Sequence, residues 1–263
     1  MKIFLNADRY LLKEDSLQNN LNDSLANIVQ DCKKDIFSIL PDIGLYLYWG
    51  IAQGKQNKPY SDLDLLVFSY KEIEKQDIES IKHIEKYYSK KLQENFSYVW
   101  IEIVTPDIYN QQKLVYSLII QYLSIFLWWH NIQENLSYIK LNKDLWFQLN
   151  SDFIHRINEK INILPIISSK KEYLLACRRI MKKLLRTSFW LIIDKVNYFD
   201  NSIEWISNLL LEFYPEQWEK IKMIKKIANN PTMNHKTIDT IINTYFIRLQ
   251  KEWDEVYKEY INC

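Results

Sequence analysis

Residues 45–69 read LYLYWGIAQGKQNKPYSDLDLLVFS: an aromatic-rich strand pattern, a glycine-bearing polar turn, and a second strand pattern opening on Asp62-Leu63-Asp64. Gly50 and Gly54 sit in the turn, and the only other glycine, Gly44, immediately precedes the stretch. Glycines this sparse mark places where the backbone needs freedom or must approach something closely. Strand side chains alternate faces, so Asp62 and Asp64 point the same way while Leu63 points into a core. Two carboxylates side by side repel unless a cation sits between them. The arrangement reads as a divalent-metal site above a sheet.

Outward from this stretch, residues 17–40 carry Leu17, Leu21, Leu25, Ile28, Val29, Cys32, Ile36 and Ile39 at helical spacing, ended by Pro41. Residues 45–49 and 62–69 are expected as strands, 71–93 as a charged surface helix, and 96–104, FSYVWIEIV, as a third strand. Strand patterns then give way to helical ones: 110–131, 143–161, 168–197, 202–213, 216–229 and 235–260, broken at Pro165, Pro215 and Pro231. The expected class is α+β, with a small mixed sheet backed by helices and an all-helical portion after it. A boundary near residue 108 gives domains 1–108 and 109–263.

The 263 residues can bury a substantial core, and a formal net charge of +1 leaves no global field to recruit nucleic acid or anionic membrane. The cysteines Cys32, Cys177 and Cys263 are widely spaced, which fits reduced cytosolic thiols rather than a disulfide frame or zinc site. The N-terminus, MKIFLNADRY, meets charge too early for a secretory apolar region. The run 114–129 is too interrupted to span a membrane and reads as a buried helix. The chain is therefore expected to be cytoplasmic.

The third strand supplies a third acid. Glu102 is the one charged residue of VWIEIV, and burying a carboxylate there costs several kcal/mol, of order ~5, without a compensating partner. If this strand lies beside the Asp62–Asp64 strand, three carboxylates gather on one face and can hold Mg²⁺, a hard cation that prefers oxygen. The helix over 168–197 adds Arg179, Lys182 and Arg186 on one flank, either a solvated stripe or a surface that neutralises phosphate. The run Trp128-Trp129-His130 reads mainly as core, with base stacking as the sharper alternative.

The pattern Gly50-x-x-x-Gly54, then Ser61-Asp62-Leu63-Asp64-Leu65-Leu66-Val67, then Glu102, resembles the DNA polymerase β-like nucleotidyltransferase superfamily. The size and the helical second half resemble its aminoglycoside nucleotidyltransferases. The resemblance implies Mg²⁺-dependent transfer of a nucleoside monophosphate from an NTP, ATP first among them, to an acceptor hydroxyl, with pyrophosphate released. Residues 1–108 would then be catalytic and residues 109–263 would bind the acceptor. Asp62, Asp64 and Glu102 would be the catalytic and metal-binding acids, with Glu102 either completing the metal site or taking the acceptor's proton. Gly50, Ile51, Ser61 and Lys55, together with Arg179, Lys182 and Arg186, would contact the nucleotide.

The chain departs from the family at Ile51, where Ser or Gly is usual, so that only a backbone N–H is offered there. An aminoglycoside-like small molecule is the expected acceptor. A tRNA or partner-protein acceptor and a non-catalytic nucleotide-binding relative are the alternatives. No membrane partner is expected.

Overall fold

The computed structural model describes residues 3–4, 9, 11, 23–54 and 61–261. The strands are β1 (Ile3–Phe4), β2 (Ile43–Tyr48), β3 (Leu63–Ser69), β4 (Val99–Val104), β5 (Ser124–Trp129) and β6 (Tyr198–Phe199). The helices of the first half are α1 (Asp23–Ile39), α2 (Trp49–Ala52), α3 (Lys75–Lys91), α4 (Pro106–Gln111) and α5 (Lys113–Tyr122). Those of the second half are α6 (Lys143–Asn150), α7 (Phe153–Ile163), α8 (Lys170–Leu191), α9 (Ile203–Phe213), α10 (Trp218–Asn229), α11 (His235–Ile241) and α12 (Ile247–Ile261). The class is α+β, and the chain divides into two compact units, Tyr10–Ile139 and Met1–Arg9 with Lys140–Cys263. No described helix is long and apolar enough to cross a membrane.

The first unit is built on a four-stranded mixed sheet in the order β4-β3-β2-β5. β2 runs antiparallel to both neighbours, whereas β3 and β4 are parallel, joined by the crossover helix α3. Alternation along the strands sends Leu45, Leu47, Leu63, Leu65, Val67, Val99 and Ile101 to one face, where they share a core with Leu25, Val29, Cys32 and Ile36 of α1 and Ile81 and Tyr88 of α3. Each of these fully buried aliphatic side chains contributes roughly 1.5–3 kcal/mol relative to exposure. The helix expected over 17–40 is found as α1, and its first residues, Leu17 and Leu21, lie outside the described residues.

The outer border of β4 is covered from α3. Glu85 accepts from the Ile101 N–H at 2.9 Å, and the Ser89 hydroxyl accepts from the Val99 N–H at 3.0 Å. The opposite border belongs to β5, in a segment expected to be helical over 110–131. α4 and α5 account for the first part of that segment, but Leu123 ends the helix and SIFLWW pairs with β2. Its branched and aromatic residues suit a pleated surface better than a helix. The register shifts between Leu45 and Tyr46, so β5 carries a bulge, and Trp129 at its end has φ 70°. Trp128 and Trp129 are consequently exposed rather than core. The position near 108 expected to divide the chain falls inside this unit, because the sheet needs residues 124–129 to complete it.

Among its described residues the second unit is helical apart from the two-residue ribbon of β1 and β6 and the connecting turns. Side-chain caps start several of its helices: Asn142 accepts from Leu145 N–H, Ser202 from Trp205 N–H and Asn234 from Thr237 N–H. α8 buries Cys177, Met181, Leu184, Leu185 and Ser188, the face its periodicity marks out. α11 and α12 are joined by one π-helical stretch, Ile242–Phe246, which carries the buried Tyr245 to within 2.9 Å of the Ser188 hydroxyl.

Candidate active site

The face of the sheet opposite the apolar core carries the acids. Tyr48, Asp64 and Trp100 stand in one row across β2, β3 and β4. Leu66 and Glu102 stand in the next, so Glu102 lies on the same face as Asp64 but one row farther along. With strands about 4.8 Å apart and about 3.3 Å of rise per residue, the two backbones are roughly 8 Å from each other. Asp62 is the residue before β3, and alternation puts it on the Asp64 side. The start of β3 is tied to the chain entering β4: Ser97 N–H donates to Ser61 O at 3.0 Å, Leu63 N–H to Tyr98 O at 2.9 Å, and the Ser97 hydroxyl donates to Asp62. Asp62, Asp64 and Glu102 are all half-buried.

Glu102 is held by two phenols. The Tyr48 hydroxyl, from the last residue of β2, donates to Oε2 at 2.7 Å, and the Tyr116 hydroxyl, from α5, donates to Oε1 at 2.9 Å. Tyr48 is in register with Asp64, so its ring crosses β3 to reach Glu102 on the strand beyond. Burial, then the Glu102 carboxylate, then that of Asp64, push the Tyr48 phenol far above its ordinary range. Burial and Glu102 likewise push Tyr116 up. Both hydroxyls therefore stay protonated and act as donors.

Glu102 is offset by one row from the aspartate it was expected to join. Among the described residues no group of three or more His, Cys, Asp or Glu side chains is gathered to hold a metal ion. Glu102 stands one row from Asp64, and each of its oxygens accepts one tyrosine hydroxyl. Asp62 and Asp64 suit Mg²⁺ by their donor chemistry: two hard oxygen donors on one face, half-buried, as befits an ion that takes one or two carboxylates plus substrate phosphates and water.

The turn before β3 also differs in detail. The left-handed backbone falls on Trp49 (φ 60°) and Gly54 (φ 69°) rather than on Gly50. For a bulky aromatic residue that conformation is strained by roughly 1–2 kcal/mol. The Trp49 N–H donates to Leu123 O at 2.9 Å, which anchors the strained residue to the end of α5. Gly50 lies within the four-residue α2, and the Ile51 side chain is buried in the sheet core. Lys55 lies outside the described residues. Arg179, Lys182 and Arg186 all lie on α8 in the helical unit. A cavity of about 270 Å³, bounded by Leu40, Asp42, Ser69, Glu72 and Asp77, opens at the other ends of β2 and β3, away from the acids.

Tyr48 and Tyr116 are the residues that sequence reasoning missed. A signal for Tyr48 was present in LYLY, where the leucines take the core face and the tyrosines the face of the acids.

No protein-family model matches the chain, and no curated protein matches it in sequence. In three dimensions it is similar to the crystal structure of spectinomycin adenyltransferase AAD(9) from Enterococcus faecialis, solved with ATP and spectinomycin. The TM-score is 0.54 at 16% sequence identity, over 86% of this chain and 99% of that one. The two proteins share a fold.

Proposed function

We propose that the chain is a nucleotidyltransferase that moves a nucleoside monophosphate from an NTP, ATP first among them, to a hydroxyl of a small acceptor of the aminoglycoside or aminocyclitol kind. The observation that carries this reading is the placement of Asp62 and Asp64 at the head of β3, with Glu102 on the same face of the adjoining parallel strand. The fold shared with an adenyltransferase that was solved with ATP and spectinomycin supports it. Such an acceptor fits a chain with no excess of positive charge for a polyanion. In the same reading the chain works in the cytoplasm, where NTPs are supplied.

In this reading Asp62 and Asp64 hold Mg²⁺, which when bound neutralises phosphate charge and polarises the phosphoryl group. Glu102 accepts the proton of the acceptor hydroxyl. The new bond joins that oxygen to the α-phosphorus, and the bond from the α-phosphorus to the bridging oxygen breaks, releasing pyrophosphate. General-base assistance of this type contributes typically ~10²–10⁴ in rate. The sheet-bearing unit, Tyr10–Ile139, supplies the nucleotide-binding and catalytic groups. Gly50, Ile51 and Ser61 lie in or beside the turn leading to the acids, where backbone N–H groups can meet phosphate. Lys55 is a further phosphate contact in the same reading.

The test is a screen of four radiolabelled NTPs against an aminoglycoside panel that includes spectinomycin, with total RNA in parallel and Asp64→Asn as control. Label should pass to a small molecule in the presence of Mg²⁺ and fall at least ~100-fold in Asp64→Asn. Undiminished transfer by Asp64→Asn would remove the aspartates from the metal role. Label in RNA alone would reassign the acceptor, and nucleotide binding without pyrophosphate release would mark a non-catalytic relative.

A further inference from the structure

The two phenols on Glu102 have no part in the reading above. A carboxylate offers about four lone-pair sites, and here one site on each oxygen accepts a tyrosine hydroxyl, at 2.7 and 2.9 Å. The donors arrive from different elements, the C-terminal end of β2 and the first half of α5, so the carboxylate is tied to both. Tyr48 is 3% exposed and Tyr116 5% exposed, which leaves their rings little rotational freedom. Glu102 itself is half-buried, so its remaining lone pairs can still be reached. A glutamate side chain left to itself samples several rotamers, and ordering it costs free energy. The structure has already ordered this one before any substrate arrives.

We propose that Tyr48 and Tyr116 are positioning residues for Glu102: their hydroxyls lock the carboxylate in the orientation in which it takes the acceptor's proton. The inference rests on the nucleotidyltransferase reading and deepens it by naming the side chains that orient its proton acceptor. Asp62 and Asp64 serve the nucleotide, and Glu102 serves the acceptor. The proton balance is simple. The acceptor O–H gives its proton to a Glu102 oxygen while both tyrosines keep theirs, and the proton leaves to solvent after pyrophosphate departs. Misplacing a reacting group by about 1 Å can cost as much as ~100-fold in rate, so losing one of the two anchors should be felt in turnover rather than in nucleotide binding.

The experiment compares wild type, Tyr116→Phe, Glu102→Gln and the double variant, with Tyr48→Phe as a parallel series. Each tyrosine change keeps the ring and removes only the hydroxyl. Tyr116→Phe should lower kcat about tenfold or more while the KM for the NTP stays within about twofold. In the Glu102→Gln background the same change should have no further effect, because the hydroxyl acts only through that carboxylate. An equal loss in both backgrounds, or a loss expressed in the KM for the NTP, overturns the positioning role. Should the wild type transfer no nucleotide at all, the proposed function fails first, and the clamp is then judged by unfolding alone. The urea midpoints of the same four proteins should be non-additive if the hydroxyl and carboxylate are coupled, and strictly additive midpoints refute the clamp.

Discussion

Replacing Gly44 by alanine tests the packing that sets the site-bearing face of the sheet. The new methyl would stand 2.6 Å from the backbone oxygen of His130 and 3.1 Å from the Tyr46 ring. A carbon and an oxygen sit comfortably at ~3.3 Å or more, so about 0.7 Å must be found. His130 O cannot yield freely, because the buried Tyr46 hydroxyl donates to it at 3.2 Å and accepts from the Ile132 N–H at 3.0 Å. Overpacking of this kind costs about 1–3 kcal/mol, and losing the Tyr46–His130 hydrogen bond adds about 1 kcal/mol. The narrower denatured ensemble of alanine returns about 0.4–1 kcal/mol. The net expectation is a loss of about 2 kcal/mol, or about 4–8 °C in Tm.

Urea unfolding followed by tryptophan fluorescence measures this loss, with thermal melts alongside. Tyr46→Phe releases the same carbonyl, so combining it with Gly44→Ala should cost less than the sum of the two. A Gly44→Ala protein as stable as wild type would show that β5 does not approach β2 as closely as described.

Other perturbations read different parts of the chain. Burial, foremost, lowers the Lys183 ammonium on α8 from 10.5 to about 8. Between those values the unfolded chain binds more protons than the folded one, so this residue makes stability rise with pH from 8 to 10.5 and fall as pH drops through 8. Lys183→Met should abolish that increment, which can amount to ~3 kcal/mol, as seen in urea midpoints of the two proteins across that window. Cys32 and Cys177 are both buried, and burial pushes the Cys32 thiol up to about 12. In a Cys263→Ser background neither should react with a disulfide reagent until the chain unfolds, and prompt labelling of the native protein would contradict the packing. Leu65→Ala, at a fully buried position of the central strand β3, should cost about 2–5 kcal/mol in chemical denaturation.

Strands β2, β3 and β4 were legible because each keeps the period of a pleated strand between clear punctuation: Pro41 before β2 and Pro106 after β4. β5 was not, because α5 and β5 form one continuous apolar run parted only by Leu123, and a short apolar run does not declare its period. The cluster Ile125, Phe126, Trp128 and Trp129, rich in strand-favouring residues, was the available clue. The acids themselves could be read from the chain, since charge inside an apolar strand is conspicuous.

Their partition could not be read so directly. It depends on register, which puts Glu102 beside Leu66 instead of Asp64. It also depends on Tyr116, which in an apolar helix looks like any core residue. The strained Trp49 had no sequence signature at all, since glycine is the residue that normally announces a left-handed turn.

The bulge in β5 has a bearing on how the protein behaves when concentrated. A flat border of Ile, Phe, Leu and Trp offering free amides would invite another chain to add itself as a further strand, and so on into fibres. The irregular pairing between β2 and β5 spoils that template by twisting it, as the side chains of α3 do for the far border by covering it. Shortening β5 by the one residue that makes it irregular would straighten the ribbon, and the cost would appear as turbidity in the tube before it appeared in any melting curve.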